Sequence, residues 1–395
     1  MDVIEMEVMQ KRLLVGLLEW ACQKIELTES QASLAAERYM TMGQWLGDGD
    51  HQLLADATIY AQGSARLRTT VRPLRRLEYD IDLMCALPHT GPELPVAAVH
   101  RLVGDRLREH ETYRGMLEPI NRGWRLNYAN EFHLDITPGV PDPVVGNGAI
   151  LVPDRALETW KQSDPRGYAA WFDAIAAIEV LQVPRGRRLL KADVEPLPED
   201  VPFRGALRRI VQVMKRHRDN VYLAKPEGEL CNAPISIIVT TLATQAFQRV
   251  ARKAVYADEF DLLQEVVRTM PAFITVGVDG RLWVANPVNP HENFAEKWSA
   301  HPERAKAFLD WHERFQSDAD ALAAARGLDE IRRLLGRMLG ADTAVRVLKE
   351  YTDRMNTNRG AGDLTVAKST TGAVGVAAAT ASSPAIRTNT FFGSE

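Results

Sequence analysis

The chain has 395 residues, 46% of them apolar and 25% charged, with a formal net charge of −4. That balance suits a soluble globular protein of two ordinary domains and excludes a fibrous, disordered or disulfide-stapled small chain. The acidic total also speaks against a protein that grips long nucleic acid over its whole surface, because phosphate neutralisation supplies such affinity. Cys22, Cys85 and Cys231 are far apart and odd in number. No disulfide framework or zinc knuckle is expected from them, and a reducing, cytoplasmic setting fits. Neither a signal peptide nor an apolar run of the ~20 residues that a membrane span needs is visible.

The first 25 residues or so read as a helix with apolar positions Val8, Leu13, Leu14, Leu17 and Leu18. Thr28, with Gln31 three residues on, forms a capping-box pattern that opens a second helix running to about Leu46. In that helix Ala32, Ala35 and Met42 have the spacing of a core face. Strand signals follow at Thr58 to Ala61, Glu78 to Leu87 and Trp124 to Thr137, the last a hairpin turning near Ala129-Asn130. A helical stretch, about Val96 to His110, lies between the second and third. After about Asp154 the pattern becomes helical, with candidates at Tyr168 to Leu181, Phe203 to Arg218, Pro234 to Ala254, Asp258 to Met270, Pro302 to Asp318 and Leu328 to Met355. Pro196, Pro198 and Pro202 punctuate a boundary. The expected class is α+β, with a mixed-sheet lobe and N-terminal helices over residues 1–195 and a helical lobe over 196–365. Residues 366–395 are rich in Ala, Thr, Ser and Gly and read as a flexible tail ending in Phe391-Phe392-Gly393.

The chemistry concentrates in Tyr79-Asp80-Ile81-Asp82-Leu83. Strand side chains alternate faces, so Asp80 and Asp82 point one way while Ile81 and Leu83 point to the core. Two carboxylates on one face repel unless a cation lies between them, and a hard divalent ion such as Mg²⁺ takes oxygen ligands. Phe132-His133-Leu134-Asp135-Ile136 repeats the alternation. If the two strands are neighbours, Asp135 completes a three-carboxylate cluster able to hold two metals. His133 shares that face and reads as a satisfied structural histidine. Upstream, Gln62-Gly63-Ser64 follows a strand; its glycine lets backbone amides approach an anion and its serine offers a hydroxyl.

Gly63-Ser64, Asp80-x-Asp82 and Asp135 together resemble the signature of polymerase-β-type nucleotidyltransferases. More narrowly, Tyr60-Ala61-Gln62-Gly63-Ser64-Ala65-Arg66-Leu67-Arg68-Thr69-Thr70 with Glu78-Tyr79-Asp80-Ile81-Asp82 resembles the bacterial cGAS/DncV-like nucleotidyltransferases. These are the cyclic-oligonucleotide synthases of CBASS antiphage defence, relatives of oligoadenylate synthase. Arg208 to His217 resembles the family helix whose lysine contacts the triphosphate, and Ala233 to Leu242 the next helix, whose serine does likewise. Asn286-Pro287-Val288-Asn289-Pro290-His291-Glu292-Asn293-Phe294 resembles a segment of the oligoadenylate-synthase-like lobe. The resemblance covers about residues 35 to 350. At Arg68 the chain departs from it, since many relatives carry glycine there.

The resemblance implies a bilobed nucleotidyltransferase with its cleft between a mixed-sheet lobe and a helical lobe. Asp80, Asp82 and Asp135 would hold Mg²⁺, or Mn²⁺ in its place. Gln62, Gly63, Ser64, Lys215 and Ser236 would hold the triphosphate. The product would be a cyclic di- or trinucleotide, with ATP among the substrates, acting on an antiphage effector. A ubiquitin-transfer-like accessory protein would handle the C-terminal tail. No membrane and no obligate nucleic acid is implied. A linear RNA or tRNA nucleotidyltransferase, or a non-catalytic nucleotide-binding module, are the other readings of the same residues.

Overall fold

The fold was read from a computed structural model, which describes residues 3–48, 51–74, 78–128, 131–146, 148–180, 205–360, 364–366 and 374–376. Helices α1 (Val3–Ile25) and α2 (Glu29–Gly47) open the chain. The capping box between them forms: Gln31 N–H donates to Thr28 Oγ1 at 3.3 Å and Thr28 N–H donates to Gln31 Oε1 at 3.0 Å. Ala35 and Met42 of α2 are buried, whereas Ala32, expected beside them, is exposed.

Next come β1 (Thr58–Ala61), the short α3 (Gly63–Leu67) and β2 (Tyr79–Ala86). They are followed by α4 (Val96–Glu109), α5 (Glu111–Met116), β3 (Leu117–Ile120), β4 (Gly123–Tyr128) and β5 (Phe132–Pro141). The strands run in the order β1-β2-β5-β4-β3, and β2–β5 is a parallel pair inside an otherwise antiparallel path. Helix α4 crosses between β2 and the β3–β4–β5 meander, as a parallel connection requires. It buries Val96, Val99, Val103 and Leu107 at helical spacing. Gly104 makes room for Trp124, because a Cβ there would lie 2.1 Å from the indole.

Three strands of the main sheet depart from the sequence-based expectation. Strand β3 had no counterpart in it. Strands β6 (Ile150–Asp154) and β7 (Thr159–Ser163) prolong the sheet from the far end of β5, where only helices were expected after Asp154. Pro153 and the polar Thr159–Ser163 run carry no period-two apolar pattern, so their pairing is decided by tertiary neighbours.

Helices α6 (Pro165–Ala176), α7 (Ala206–Leu223), α8 (Ser236–Val250) and α9 (Glu259–Thr269) build the second layer. Short strands β8 (Thr275–Val276), β9 (Leu282–Trp283), β10 (Ala285–Asn286) and β11 (Asn289–Asn293) form two hairpins before α10 (Pro302–Ala324), α11 (Leu328–Leu339) and α12 (Ala341–Gly360). Two apolar cores result. One lies under the sheet and takes in α2 and α4; the other fills the helical body and includes Leu14, Leu17 and Leu18 of α1. Helix α1 is tied to α7 by a buried ion pair, Arg209 donating to both Glu19 oxygens at 2.8 and 2.9 Å. The fold is thus α+β, with a mixed sheet beside a helical body.

The Ala129-Asn130 turn, the prolines at 196, 198 and 202, the boundary between residues 195 and 196, and Phe391-Phe392-Gly393 lie outside the described residues. At the start of the expected tail, β12 (Leu364–Val366), which begins two residues before it, pairs antiparallel with β13 (Val374–Val376), so Val374-Gly375-Val376 is strand rather than free coil. The β-branched residues of both segments suit that pairing.

Arg68, which ends α3, has φ 56° and ψ 42°, the left-handed region that costs a residue with a Cβ roughly 1 kcal/mol. Glycine is what this backbone conformation prefers. Arg68→Gly is therefore expected to raise the unfolding free energy by about 0.5–1 kcal/mol, measured by urea denaturation. A variant less stable than the parent would show that the Arg68 side chain contributes more than the strain costs.

Candidate active site

The parallel pairing of β2 and β5 sets the register of the acids: Asp80 stands opposite His133, and Asp82 opposite Asp135. On both strands the apolar residues between them, Ile81, Leu83, Leu134 and Ile136, are buried. All the polar side chains therefore share one face, as the alternation required. Asp82 is pushed up to about 6, first by burial and then by the charges of Asp135 and Asp80. His133 is bracketed by Glu78 and, at 3.1 Å, by Asp80. It is satisfied within the protein, as expected.

Strand β1 holds the phosphate-type turn over these acids. Gln62 N–H donates to the Asp82 carbonyl at 2.8 Å, extending the β1–β2 ladder by one residue. Gly63 follows with φ 56°, and a Cβ there would meet Asp82 Oδ2 at 2.4 Å. Both the backbone and the approach to the carboxylate demand glycine. Ser64 accepts a hydrogen bond at Oγ from Thr70 Oγ1 at 3.2 Å, and its carbonyl accepts from Thr69 N–H at 3.0 Å.

Helix α7 brings Lys215 into the same place. Its Nζ donates to Thr69 Oγ1 at 3.1 Å and to the Thr69 carbonyl at 3.3 Å. Burial, with Arg218 nearby, pulls Lys215 down to about 7, although Asp219 and Asp82 favour its charged form. Ser236 opens α8, and its Oγ accepts from Arg218 at 2.8 Å, while Arg218 also donates to the Pro234 carbonyl at 3.0 Å.

A cavity of about 490 Å³ joins these groups. Gly63, Ser64, Asp80, Asp82, Lys215 and Ser236 line it. Gln62 does not: its amide reaches back to the Leu83 carbonyl at 3.5 Å. Nor does Asp135, because Arg125 of β4 clasps it. The Arg125 Nε and Nη2 donate to the two Asp135 oxygens at 2.7 Å each, and Nη2 lies 3.2 Å from Asp80. Asp135 is also the strand partner of Arg125, so this clasp follows from the β4–β5 register. Among the described residues, no three His, Cys, Asp or Glu groups form a cluster that could hold a metal ion. The anticipated three-carboxylate cluster is thus interrupted by a guanidinium. Even so, the donor set suits a hard divalent cation: Asp80 and Asp82 face one cavity, and burial, with the charges of Asp135 and Asp80, holds Asp82 above the usual carboxylate range.

Arg125 was not singled out in the sequence. Its signal was there, since it alternates with the buried Trp124 and Leu126 and lies in the same hairpin as Asp135. Arg218 likewise entered only as the last residue of the expected helix Phe203 to Arg218. The asparagines of the Asn-Pro segment prove to be turn formers. Asn286 Oδ1 accepts from Val288 N–H, and Asn293 Oδ1 accepts from Val284 and Ala295 N–H, so they shape the β10–β11 hairpin.

Residues 17–175 match the model of the Second Messenger Oligonucleotide or Dinucleotide Synthetase domain. Over 356 residues the chain is 30% identical to a Roseivirga ehrenbergii protein named c-di-GMP synthase, covering 89% of this chain and 91% of that one. The chain belongs to the bacterial cGAS/DncV-like nucleotidyltransferases. Solved structures agree on the fold of this synthase. The Bradyrhizobium diazoefficiens CD-NTase CdnG, in complex with GTP, superposes with a TM-score of 0.64 at 23% identity, over 85% of this chain and 97% of that one. The GTP-bound form of Vibrio cholerae DncV gives 0.51 at 17%, over 85% and 88%. The synthase is a nucleotidyltransferase that makes a cyclic oligonucleotide, as the sequence motifs implied. No helix among its described residues is long and apolar enough to cross a membrane.

Removing the guanidinium tests the charge balance of the face. Arg125→Gln leaves Asp80, Asp82 and Asp135 without their counter-charge, and is expected to cost about 2 kcal/mol at pH 8. The cost should shrink at pH 5, where Asp82, pushed up to about 6, carries a proton. The sign follows from linkage: a carboxylate raised on folding costs stability above its folded pKa and is relieved below it. Urea denaturation at both pH values measures the difference, and an equal loss at the two would refute the charge argument.

Proposed function

We propose that this synthase makes c-di-GMP from two molecules of GTP, with release of two pyrophosphates. In each half-reaction a ribose hydroxyl attacks an α-phosphate. The observation that carries the reading is the placement of Asp82, the parallel-strand partner of Asp135, in one cavity with the Gly63-Ser64 turn and Lys215. Guanine replaces the adenine expected from the sequence because the 30% identical relative is named c-di-GMP synthase. The GTP in the structure of CdnG supports the same choice.

The chain's own groups divide the work. Backbone amides of Gly63 and Ser64, with the Ser64 and Ser236 hydroxyls, bind and orient the triphosphate. Lys215, in its protonated form, adds charge at the wall of the same cavity. Gln62 holds the turn in place through Asp82 and Leu83 rather than meeting the nucleotide. Asp80 and Asp82, joined by Asp135, would hold Mg²⁺ or Mn²⁺; such an ion neutralises the triphosphate and makes the attacking hydroxyl more acidic. For Asp135 to accept that hydroxyl's proton, Arg125 must release it. Positioning and charge neutralisation supply the catalysis, since in-line attack needs no covalent enzyme intermediate. The product would signal to an antiphage effector, and the C-terminal Phe391-Phe392-Gly393 would serve as the handle for an accessory protein.

Incubation with each nucleoside triphosphate and Mg²⁺ or Mn²⁺, phosphatase treatment and mass spectrometry test the reaction. Phosphatase-resistant c-di-GMP from GTP alone is the expected product, and Asp80→Asn with Asp82→Asn should lower turnover by at least 10³-fold. A product formed only from ATP would reject the base assignment, and an active double variant would reject the site.

Lys215 makes the site pH-dependent. In the free protein it is pulled down to about 7, so triphosphate binding takes up a proton at higher pH. The affinity for a non-hydrolysable GTP analogue should therefore fall as pH rises from 7 to 9, approaching tenfold per unit. Titration calorimetry should show that slope in the parent protein and a flat profile in Lys215→Met.

A further inference from the structure

A row of alternating charge crosses three strands of the sheet. Arg125 of β4 has Asp135 of β5 as its register partner on one side and Glu118 of β3 on the other. Directly opposed residues of antiparallel strands share a face, with their Cβ atoms about 5 Å apart. One guanidinium therefore stands between two carboxylates that it can reach by turning its own side chain. The apolar spacing of the strands fixes this placement, since Trp124 and Leu126 are buried beside Arg125, and Leu134 and Ile136 beside Asp135. The two sides are used unequally. Arg125 gives Asp135 two hydrogen bonds of 2.7 Å, and its Nη2 lies 3.2 Å from Asp80. It thus bridges two acids that a shared divalent ion would also have to bridge. Glu118 is exposed, and its carboxylate accepts from Asn127 Nδ2 at 3.3 Å. A guanidinium and a divalent cation repel each other steeply at such separations, so the two do not share Asp135.

We propose that Arg125 is a resident cation of the acidic face, that a divalent ion enters by displacing it, and that Glu118 receives the displaced guanidinium. The inference rests on the reading of Asp80, Asp82 and Asp135 as metal ligands. In the free protein the clasp on Asp135 keeps the affinity for a lone metal ion low. A triphosphate brings the negative charge that offsets the displacement, so metal and nucleotide load together rather than metal first. Glu118 offers the same carboxylate chemistry one strand away, and the exchange needs only a change of rotamer. Arg125 and Glu118 are positioning residues, both acting through Asp135.

The test follows Mn²⁺ through the electron paramagnetic resonance of the free ion, on the full chain without nucleotide. Its outcome is independent of which product the synthase makes. Arg125→Gln should bind Mn²⁺ about tenfold tighter than the parent, and Arg125→Lys, which keeps the charge, should stay within about threefold of it. Glu118→Gln should bind Mn²⁺ about threefold more weakly. In the Arg125→Gln background the same substitution should change nothing, because Glu118 acts only through Arg125. Adding a non-hydrolysable GTP analogue should raise the Mn²⁺ affinity of the parent more than that of Arg125→Gln. Circular dichroism checks that each variant is folded. Mn²⁺ binding unchanged by Arg125→Gln overturns the proposal. A Glu118→Gln effect of equal size with and without Arg125 overturns the part given to Glu118, leaving a plain surface-charge effect. Mn²⁺ that binds no variant, with or without the analogue, or that binds Asp82→Asn as well as the parent, would overturn the metal site on which the inference rests.

Discussion

Two carboxylates set side by side on neighbouring parallel strands repel each other, and much of the sheet's polar face is arranged around that fact. Asp82 and Asp135 are register partners, with Asp80 two residues before Asp82. Burial first and this repulsion second raise the proton affinity of Asp82. The repulsion is relieved where Arg125 from the third strand clasps Asp135, and His133 lies between Glu78 and Asp80 at the strand ends. The acids that would organise a nucleotide are therefore kept in a folded sheet by a basic group of the chain itself. An active site of this type holds like charges together at a cost that the remaining structure must offset.

The helical body serves that face from the other side. Lys215 is delivered by α7, and α7 is fastened to α1 through Arg209 and Glu19. Ser236 stands at the start of α8, where Arg218 of α7 holds it. The turn Gly63-Ser64 is fastened to Thr69 and Thr70, and Thr69 in turn receives Lys215. One chain of contacts thus runs from the sheet edge through the turn to the helices. A buried lysine near neutrality and a buried aspartate above its usual range lie on the same cavity, a pairing of perturbed groups typical of functional sites.

Much of this was legible in the chain alone. The alternation in Tyr79–Leu83 and Phe132–Ile136 required the acids to share a face, because period two is a local property of strand geometry. The capping box at Thr28 and the amphipathic spacing of α4 are equally local, and both formed as written. The Gly63-Ser64 motif with its spacing to Asp80 and Asp82 identified the family. Which strands would be neighbours was not local. The parallel register that puts Asp82 against Asp135, the hairpin register that hands Asp135 to Arg125, and the polar strands β6 and β7 depend on contacts between distant segments. The sequence determined which residues carry charge and which way each faces. Only the tertiary structure decided which charges meet, because Coulomb interaction and burial depend on distances that no periodicity encodes.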